Sequence, residues 1–375
     1  MGKTTIQELT AFGQSVWLDY ISCSLIDTGK LKQMIDTGVR GMTSNPSIFD
    51  KAISSSNDYD VRINKLKQMK KSTFEIYDEL TIKDIQDAAD LFKPVYEETN
   101  GLDGYVSLEI NPRLAYQTTE TVKEGKRLYH TVNRPNVLFK VPSTEPGFRA
   151  VEELLAQGIN VNITLIFSLQ QYINTAHAYI KGVSRFVQNN GDISRLASVA
   201  SVFVSRVDTL VDKLLDEKIT EQNDETKNKL ESLKGKAAVA NAAIIFSKYK
   251  EIFSSKEFKE IQQKGARVQR LLWGSTSTKN PVYSDIKYVT ELIGENTINT
   301  IPEKTLNAFL NHGVVKQALT GNIAERKETI SELSKNSINV DAICEKLLGD
   351  GVVSFEKSFN SLLVSITEKA KQLST

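Results

Sequence analysis

Lys140 stands alone in Val137-Leu138-Phe139-Lys140-Val141-Pro142, an apolar run with no other charge. Lysine is rarely buried unless it is paired or functional. Desolvation or a nearby cation lowers its pKa and leaves neutral amine to attack a carbonyl carbon. Two carboxylates stand in comparable settings: Glu109, in Ser107-Leu108-Glu109-Ile110, and Asp19, after Val16-Trp17-Leu18. At hydrogen-bond reach of a reacting centre, such groups move protons. The plainer reading is that Lys140 and Glu109 form a structural salt bridge, that Asp19 caps a strand end, and that Asn45, before Pro46, serves a turn.

These residues matter only if the chain brings them together. Short apolar and β-branched runs alternate with helical patterns, the mark of βα units. Strands are expected at 15–19, 41–45, 105–109, 137–141, 160–167, 198–206, 271–275 and 297–301. Eight strands separated by helices favour a closed parallel α/β barrel, a (β/α)8 TIM barrel, over an open sheet. No Gly-x-Gly-x-x-Gly turn follows an early strand, which weakens a dinucleotide-binding reading.

In such barrels the chemistry sits at the C-terminal ends of the strands. Asp19, Thr43, Asn45, Glu109, Lys140, Asn162, Thr164, Ser201, Arg206, Ser275 and Lys279 all fall at or just past those ends. Arg206 has an alternative use as a partner of Asp208. Gly2-Lys3-Thr4-Thr5 resembles the tail of a phosphate loop but lacks the upstream glycine and strand, so it reads as a helix cap. Asn162-Ile163-Thr164 matches a glycosylation sequon, yet it falls within an expected buried strand.

Extra helices are expected after strand 2 (50–100), after strand 6 (213–268) and beyond strand 8. A charged loop is expected near 221–236. The whole chain, 1–375, reads as one domain, with the barrel at about 15–320 and a helical extension at 321–375. That extension is a candidate to cover one rim.

Composition narrows the partners. Lys and Arg number 47 against 46 Asp and Glu, a net charge of +1. Neither nucleic acid nor a membrane surface is expected as a partner on that balance. Two separated cysteines and three scattered histidines offer no disulfide framework and no metal cluster. No apolar run approaches the ~20 residues of a membrane span, and the first residues do not resemble a signal peptide. A cytoplasmic protein is expected, as a monomer or a homodimer.

The motifs, taken in order, resemble the transaldolase family. They are Ser15–Asp19, Gly41-Met42-Thr43-Ser44-Asn45-Pro46-Ser47-Ile48-Phe49, Ser107–Ile110, Leu138-Phe139-Lys140-Val141-Pro142-Ser143-Thr144, Asn162-Ile163-Thr164-Leu165-Ile166-Phe167-Ser168 and Trp273-Gly274-Ser275-Thr276. The overall length is similar to that of the long bacterial type. The resemblance implies a class I Schiff-base transferase of the non-oxidative pentose phosphate pathway. Its donors would be fructose 6-phosphate or sedoheptulose 7-phosphate, its acceptors glyceraldehyde 3-phosphate or erythrose 4-phosphate, and it would need no metal or organic cofactor.

It further implies that Lys140 forms the imine and Asp19 takes the C4 hydroxyl proton. Glu109 and Thr164 would hold a catalytic water. Asn45, Asn162 and Ser201, with Thr43 beside them, would contact the three-carbon unit or position Lys140, and Arg206 would bind phosphate. Two departures stand out: Lys279 follows Ser275 where relatives carry an arginine at closer spacing, and Cys23 stands where long relatives often have arginine. Phe203, where similar aldolases carry tyrosine, favours transfer over simple cleavage.

Overall fold

A computed structural model describes residues 2–220, 224–321 and 323–373. Its eight strands are β1 (Gln14–Asp19), β2 (Gly41–Thr43), β3 (Val106–Glu109), β4 (Val137–Pro142), β5 (Val161–Ile166), β6 (Ser198–Phe203), β7 (Arg270–Gly274) and β8 (Thr297–Ile301). They pair in sequence order, all parallel, and β1 pairs with β8 to close a barrel. The expected eight-stranded barrel is the observed one.

Side chains alternate across each strand, and the register tells which face points inward. Asp19 pairs with Thr43, Glu109 with Lys140, and Lys140 with Asn162. One level lower, Trp17, Leu138, Val199, Leu272 and Ile298 form a separate apolar cluster with Tyr96 and Tyr105. This cluster fills the barrel beneath the polar rim. Trp17 fits because its partner in register is Gly41: a Cβ there would lie 2.5 Å from the indole.

The lower end is sealed by a buried polar knot. Arg270 Nη1 donates to Asp103 Oδ1 at 3.0 Å, and Arg270 Nη2 donates to Ser15 Oγ at 2.6 Å. Asp103 also accepts from the Ser15 hydroxyl at 2.6 Å and from the Trp17 indole N–H at 3.1 Å. The Asp103 carboxylate is thus held by three donors, as a charge buried so deeply must be.

Two expected strands run too far by two residues or more, and 160–167 and 271–275 by one. β2 stops at Thr43, and Asn45 instead caps the helix Pro46–Ser54, accepting from the Ile48 N–H at 3.0 Å. Pro46 at the first helical position favours that turn. β6 stops at Phe203, and Arg206 lies in the first turn of the helix Ser205–Ile219. The apolar Val202-Phe203-Val204 run imitates a longer strand, but Val207, Val211 and Leu215 supply the buried face of that helix.

Helices fill the expected insertions. After β2 come Pro46–Ser54, Asp60–Gln68 and Thr73–Glu98. After β6, the expected charged loop is in part the helix Asp224–Glu231, while residues 221–223 lie outside the described residues. Further on, Asp208 accepts from the Ala238 N–H and the Tyr288 hydroxyl, and Asp212 from the Gly235 N–H and the Tyr283 hydroxyl. These bonds brace the inserted helix Ala237–Phe253 against the one carrying Arg206. Beyond β8 run Glu303–His312, Ile323–Lys335 and Val340–Gln372. No helix among the described residues is long and apolar enough to cross a membrane.

Truncating Asp103 would strand the Arg270 charge at the sealed end. Asp103→Ala should therefore lower the unfolding free energy by about 3–5 kcal/mol in urea titrations followed by circular dichroism. A loss below about 1 kcal/mol would mean that the knot is solvated and contributes little.

Candidate active site

At the C-terminal rim the strand ends open into a cavity of about 380 Å³. Lys140 reaches it from the middle of β4, where every residue is buried. Lys140 is 4% exposed and Glu109 5%, and Nζ lies 2.8 Å from Glu109 Oε2. Nζ also donates to the Ser44 carbonyl at 3.0 Å. One carboxylate and one carbonyl thus hold the amine, and its remaining side faces the cavity.

Burial pushes the Glu109 carboxyl above its ordinary value, with the Lys140 charge working against that. Asp19 behaves alike: burial raises it, while the Thr43 hydroxyl, Lys140 and then Lys279 pull it down. Asp19 Oδ1 accepts from Thr43 Oγ1 at 2.8 Å, and that hydroxyl lies 2.7 Å from Thr300 Oγ1. Two carboxylates biased toward accepting a proton therefore flank the lysine, an arrangement suited to acid–base work.

The far side of the lysine is built by β5 and β6. Ser201 Oγ donates to Asn162 Oδ1 at 2.6 Å, and Asn162 Nδ2 donates to Ser107 Oγ at 3.0 Å. Asn162 therefore has a fixed orientation. Thr164 differs, because its buried hydroxyl has no hydrogen-bond partner among the described residues although it lines the cavity. An unpaired buried hydroxyl is costly and suits a water or substrate oxygen. Just beyond it, β5 shifts register and Leu165 takes a left-handed φ of 59°. Such bulges re-aim neighbouring side chains.

Cations gather toward the mouth. Arg206 lines the cavity, and its guanidinium carbon stands 5.4 Å from the Phe203 ring centroid. It forms no ion pair among the described residues, and Asp208 is occupied elsewhere, so the Arg206–Asp208 alternative is not realised. Burial holds its pKa below the ordinary value. Lys279 donates to Ser277 Oγ at 2.7 Å, and Ser275 Oγ lies 3.3 Å from Ser205 Oγ. All three serine and lysine side chains of this loop line the cavity.

Of the residues singled out in the sequence, Asp19, Thr43, Asn45, Lys140, Thr164, Ser201, Phe203, Arg206, Ser275 and Lys279 line one cavity, with Glu109 and Asn162 directly behind it. Cys23 is not among the lining residues; it is buried, and its N–H donates to the Tyr59 hydroxyl. Sequence reasoning missed Lys51, on the helix after β2, and Phe355, on the last helix, both of which line the cavity. Phe355 occupies one position of a long amphipathic pattern, where a core role is the ordinary reading.

The fold and the rim together define a (β/α)8 barrel enzyme with a lysine-centred site. A family model for transaldolase/fructose-6-phosphate aldolase matches residues 16–366. The transaldolase of Trichodesmium erythraeum is 48% identical over 370 residues, 98% of this chain and 97% of that protein. Transaldolase 2 of Nostoc sp. is 44% identical over the full length of both, and the transaldolase of Saccharopolyspora erythraea is 42% identical over 99% of each. The chain belongs to the transaldolase/fructose-6-phosphate aldolase family.

The raised Asp19 pKa carries a sign that can be measured. A carboxyl whose folded pKa exceeds its unfolded value penalises the folded state wherever it must be ionised. The penalty is complete above the raised pKa and vanishes below the ordinary value of 3.8. Asp19→Asn should therefore be more stable than wild type at pH 7–8, and the gap should close as pH falls toward 4. Thermal melts across that range test this; a variant less stable at pH 8 would reverse the sign.

Proposed function

We propose that this chain is a transaldolase. It removes a dihydroxyacetone unit from a ketose phosphate such as fructose 6-phosphate or sedoheptulose 7-phosphate. It passes that unit to an aldose phosphate, glyceraldehyde 3-phosphate or erythrose 4-phosphate, in the non-oxidative pentose phosphate pathway. The observation that carries the mechanism is the buried Lys140 amine, fixed by Ser44 and Glu109 with one side open to the cavity.

Lys140 adds to the C2 carbonyl and water leaves, giving an iminium. The C3–C4 bond then breaks, and its electron pair flows into the iminium to make an enamine. Asp19 takes the C4 hydroxyl proton as the aldose phosphate departs. The enamine attacks the aldehyde carbon of the acceptor, Asp19 returns the proton to the new hydroxyl, and water releases the new ketose phosphate, three carbons longer than the acceptor. Glu109 and the unpaired Thr164 hydroxyl hold the water that adds and leaves.

Asn162, Ser201, Thr43 and Asn45 supply polar contacts to the three-carbon unit. Arg206 binds the phosphate through its fork of donors, with Lys279 and Ser275 beside it. Phe203 has no proton to give the enamine, which favours transfer over release. No resident metal or organic cofactor enters this reaction. In this reading residues 1–375 act as one cytoplasmic unit, the barrel at 15–320 carrying a helical extension at 321–375, and no second copy is required.

Borohydride reduction during turnover of fructose 6-phosphate should leave a three-carbon adduct on the Lys140 peptide by mass spectrometry, absent in Lys140→Ala. An adduct on no lysine of folded protein would sink the covalent mechanism. Arg206→Ala should raise KM for phosphorylated donors by about 10–100-fold, since a charge-assisted contact contributes roughly 1.5–3 kcal/mol. An unchanged KM would move the phosphate elsewhere on the rim.

A further inference from the structure

The last helix, Val340–Gln372, crosses the open end of the barrel and places one aromatic ring inside the cavity. Phe355 is 5% exposed although it lines the cavity beside Lys140 and Thr164. Its ring centroid stands 5.5 Å from Lys140 Nζ and 6.5 Å from the Phe203 ring. Phe203 in turn meets Phe167 at 5.5 Å. Phe355 and Phe203 thus present an apolar wall to the cavity, with Phe167 packed against Phe203.

The ring's position is enforced rather than incidental. Gly351, one turn earlier, sits against Leu165, the left-handed residue of the β5 bulge; a Cβ there would approach the leucine to 3.0 Å. Further along, Ser365 Oγ donates to Asp50 at 2.9 Å, and Lys369 Nζ donates to Asp60 at 2.8 Å. The helix is therefore tied to the bulge at one end and to the helices after β2 at the other. Phe355 lies between these ties.

We propose that Phe355 is a specificity-determining residue that decides whether the three-carbon intermediate is transferred or released. This rests on the reading of Lys140 as the imine-forming residue. After C3–C4 cleavage the enamine has two fates. It can attack an aldehyde carbon, forming a new C–C bond. Alternatively, C3 takes a proton from Asp19 or water, and hydrolysis of the resulting iminium frees the Lys140 amine and dihydroxyacetone.

Both fates end in hydrolysis of an iminium at C2, so what sets release apart is the proton delivered to C3. Phe355 has no proton to give and occupies volume that a water near C3 would take. A ring face near the amine also suits the cationic iminium, so the wall lets the covalent step proceed while it slows protonation of C3. Phe203, from β6, and Phe355, from the last helix, make a double barrier.

The test uses the full chain as wild type, Phe355→Ala and Phe355→Leu, checked by circular dichroism and thermal melting. With fructose 6-phosphate, free dihydroxyacetone is measured against transfer to erythrose 4-phosphate. F355A should raise the ratio of release to transfer by about tenfold or more, a barrier change of roughly 1.4 kcal/mol, while borohydride still traps the adduct on Lys140. F355L, which keeps an apolar wall, should stay within about twofold of wild type, under roughly 0.5 kcal/mol. Should F355A not fold, Phe355→Val carries the same expectation.

An unchanged ratio in a folded variant that still forms the adduct would overturn the proposal and leave Phe355 as core packing. Equal increases in F355A and F355L would also overturn it, because the apolar wall would not be what matters. Absence of the adduct in wild type itself would instead remove the Lys140 reading, and this proposal with it.

Discussion

A primary amine held almost out of water is the constraint from which the rest of this architecture follows. Burying an ammonium costs several kcal/mol unless partners replace its hydration. Here one carboxylate and one backbone carbonyl do so, Glu109 from β3 and Ser44 from the turn after β2. Those partners can converge on β4 only if three consecutive strands keep a fixed register, as the pairing of Glu109 with Lys140 records. The register is in turn held by the apolar layer beneath, where Trp17 fills space that Gly41 leaves free. Below that, the Asp103–Arg270 knot closes the barrel.

The two ends of the barrel use charge in opposite ways. At the lower end the buried charges are paired: Asp103 accepts from arginine, serine and tryptophan together, and of the Arg270 guanidinium only Nε has no partner among the described residues. At the upper end the accounts are left open. Among the described residues the Thr164 hydroxyl has no partner and Arg206 forms no ion pair, and two carboxyls are raised by burial. Saturated polar groups rigidify a fold, while unsaturated ones store affinity for whatever completes them.

Much of this was legible from residue order alone. An apolar run around a single lysine announces a buried amine, because few other arrangements tolerate it, and the period of βα units places it at a strand end. β8 was readable to the residue, since Thr297–Ile301 is a compact β-branched run. The ends of β2 and β6 were less readable. Asn45 serves a strand end and a helix cap alike, and a β-branched run such as Val202-Phe203-Val204 does not say where helical periodicity takes over. Phe355 was not legible as a cavity residue at all. On an amphipathic helix, one phenylalanine over a site resembles any other facing the core, and only the crossing of that helix over the rim tells them apart.

The pairing of β1 with β8 has a consequence for how the molecule comes into being. Gln14 waits for Thr297, so the barrel has no closed form until nearly three hundred residues are available. Contacts of such sequence separation form late, because their loop-closure entropy must be met first. The polar rim draws on the ends of strands from one side of that seam to the other, so a partly made chain holds fragments of a site and never a working one. Turnover in this molecule therefore waits on the last strand: no nascent chain that stops short of β8 can begin to consume sugar phosphates.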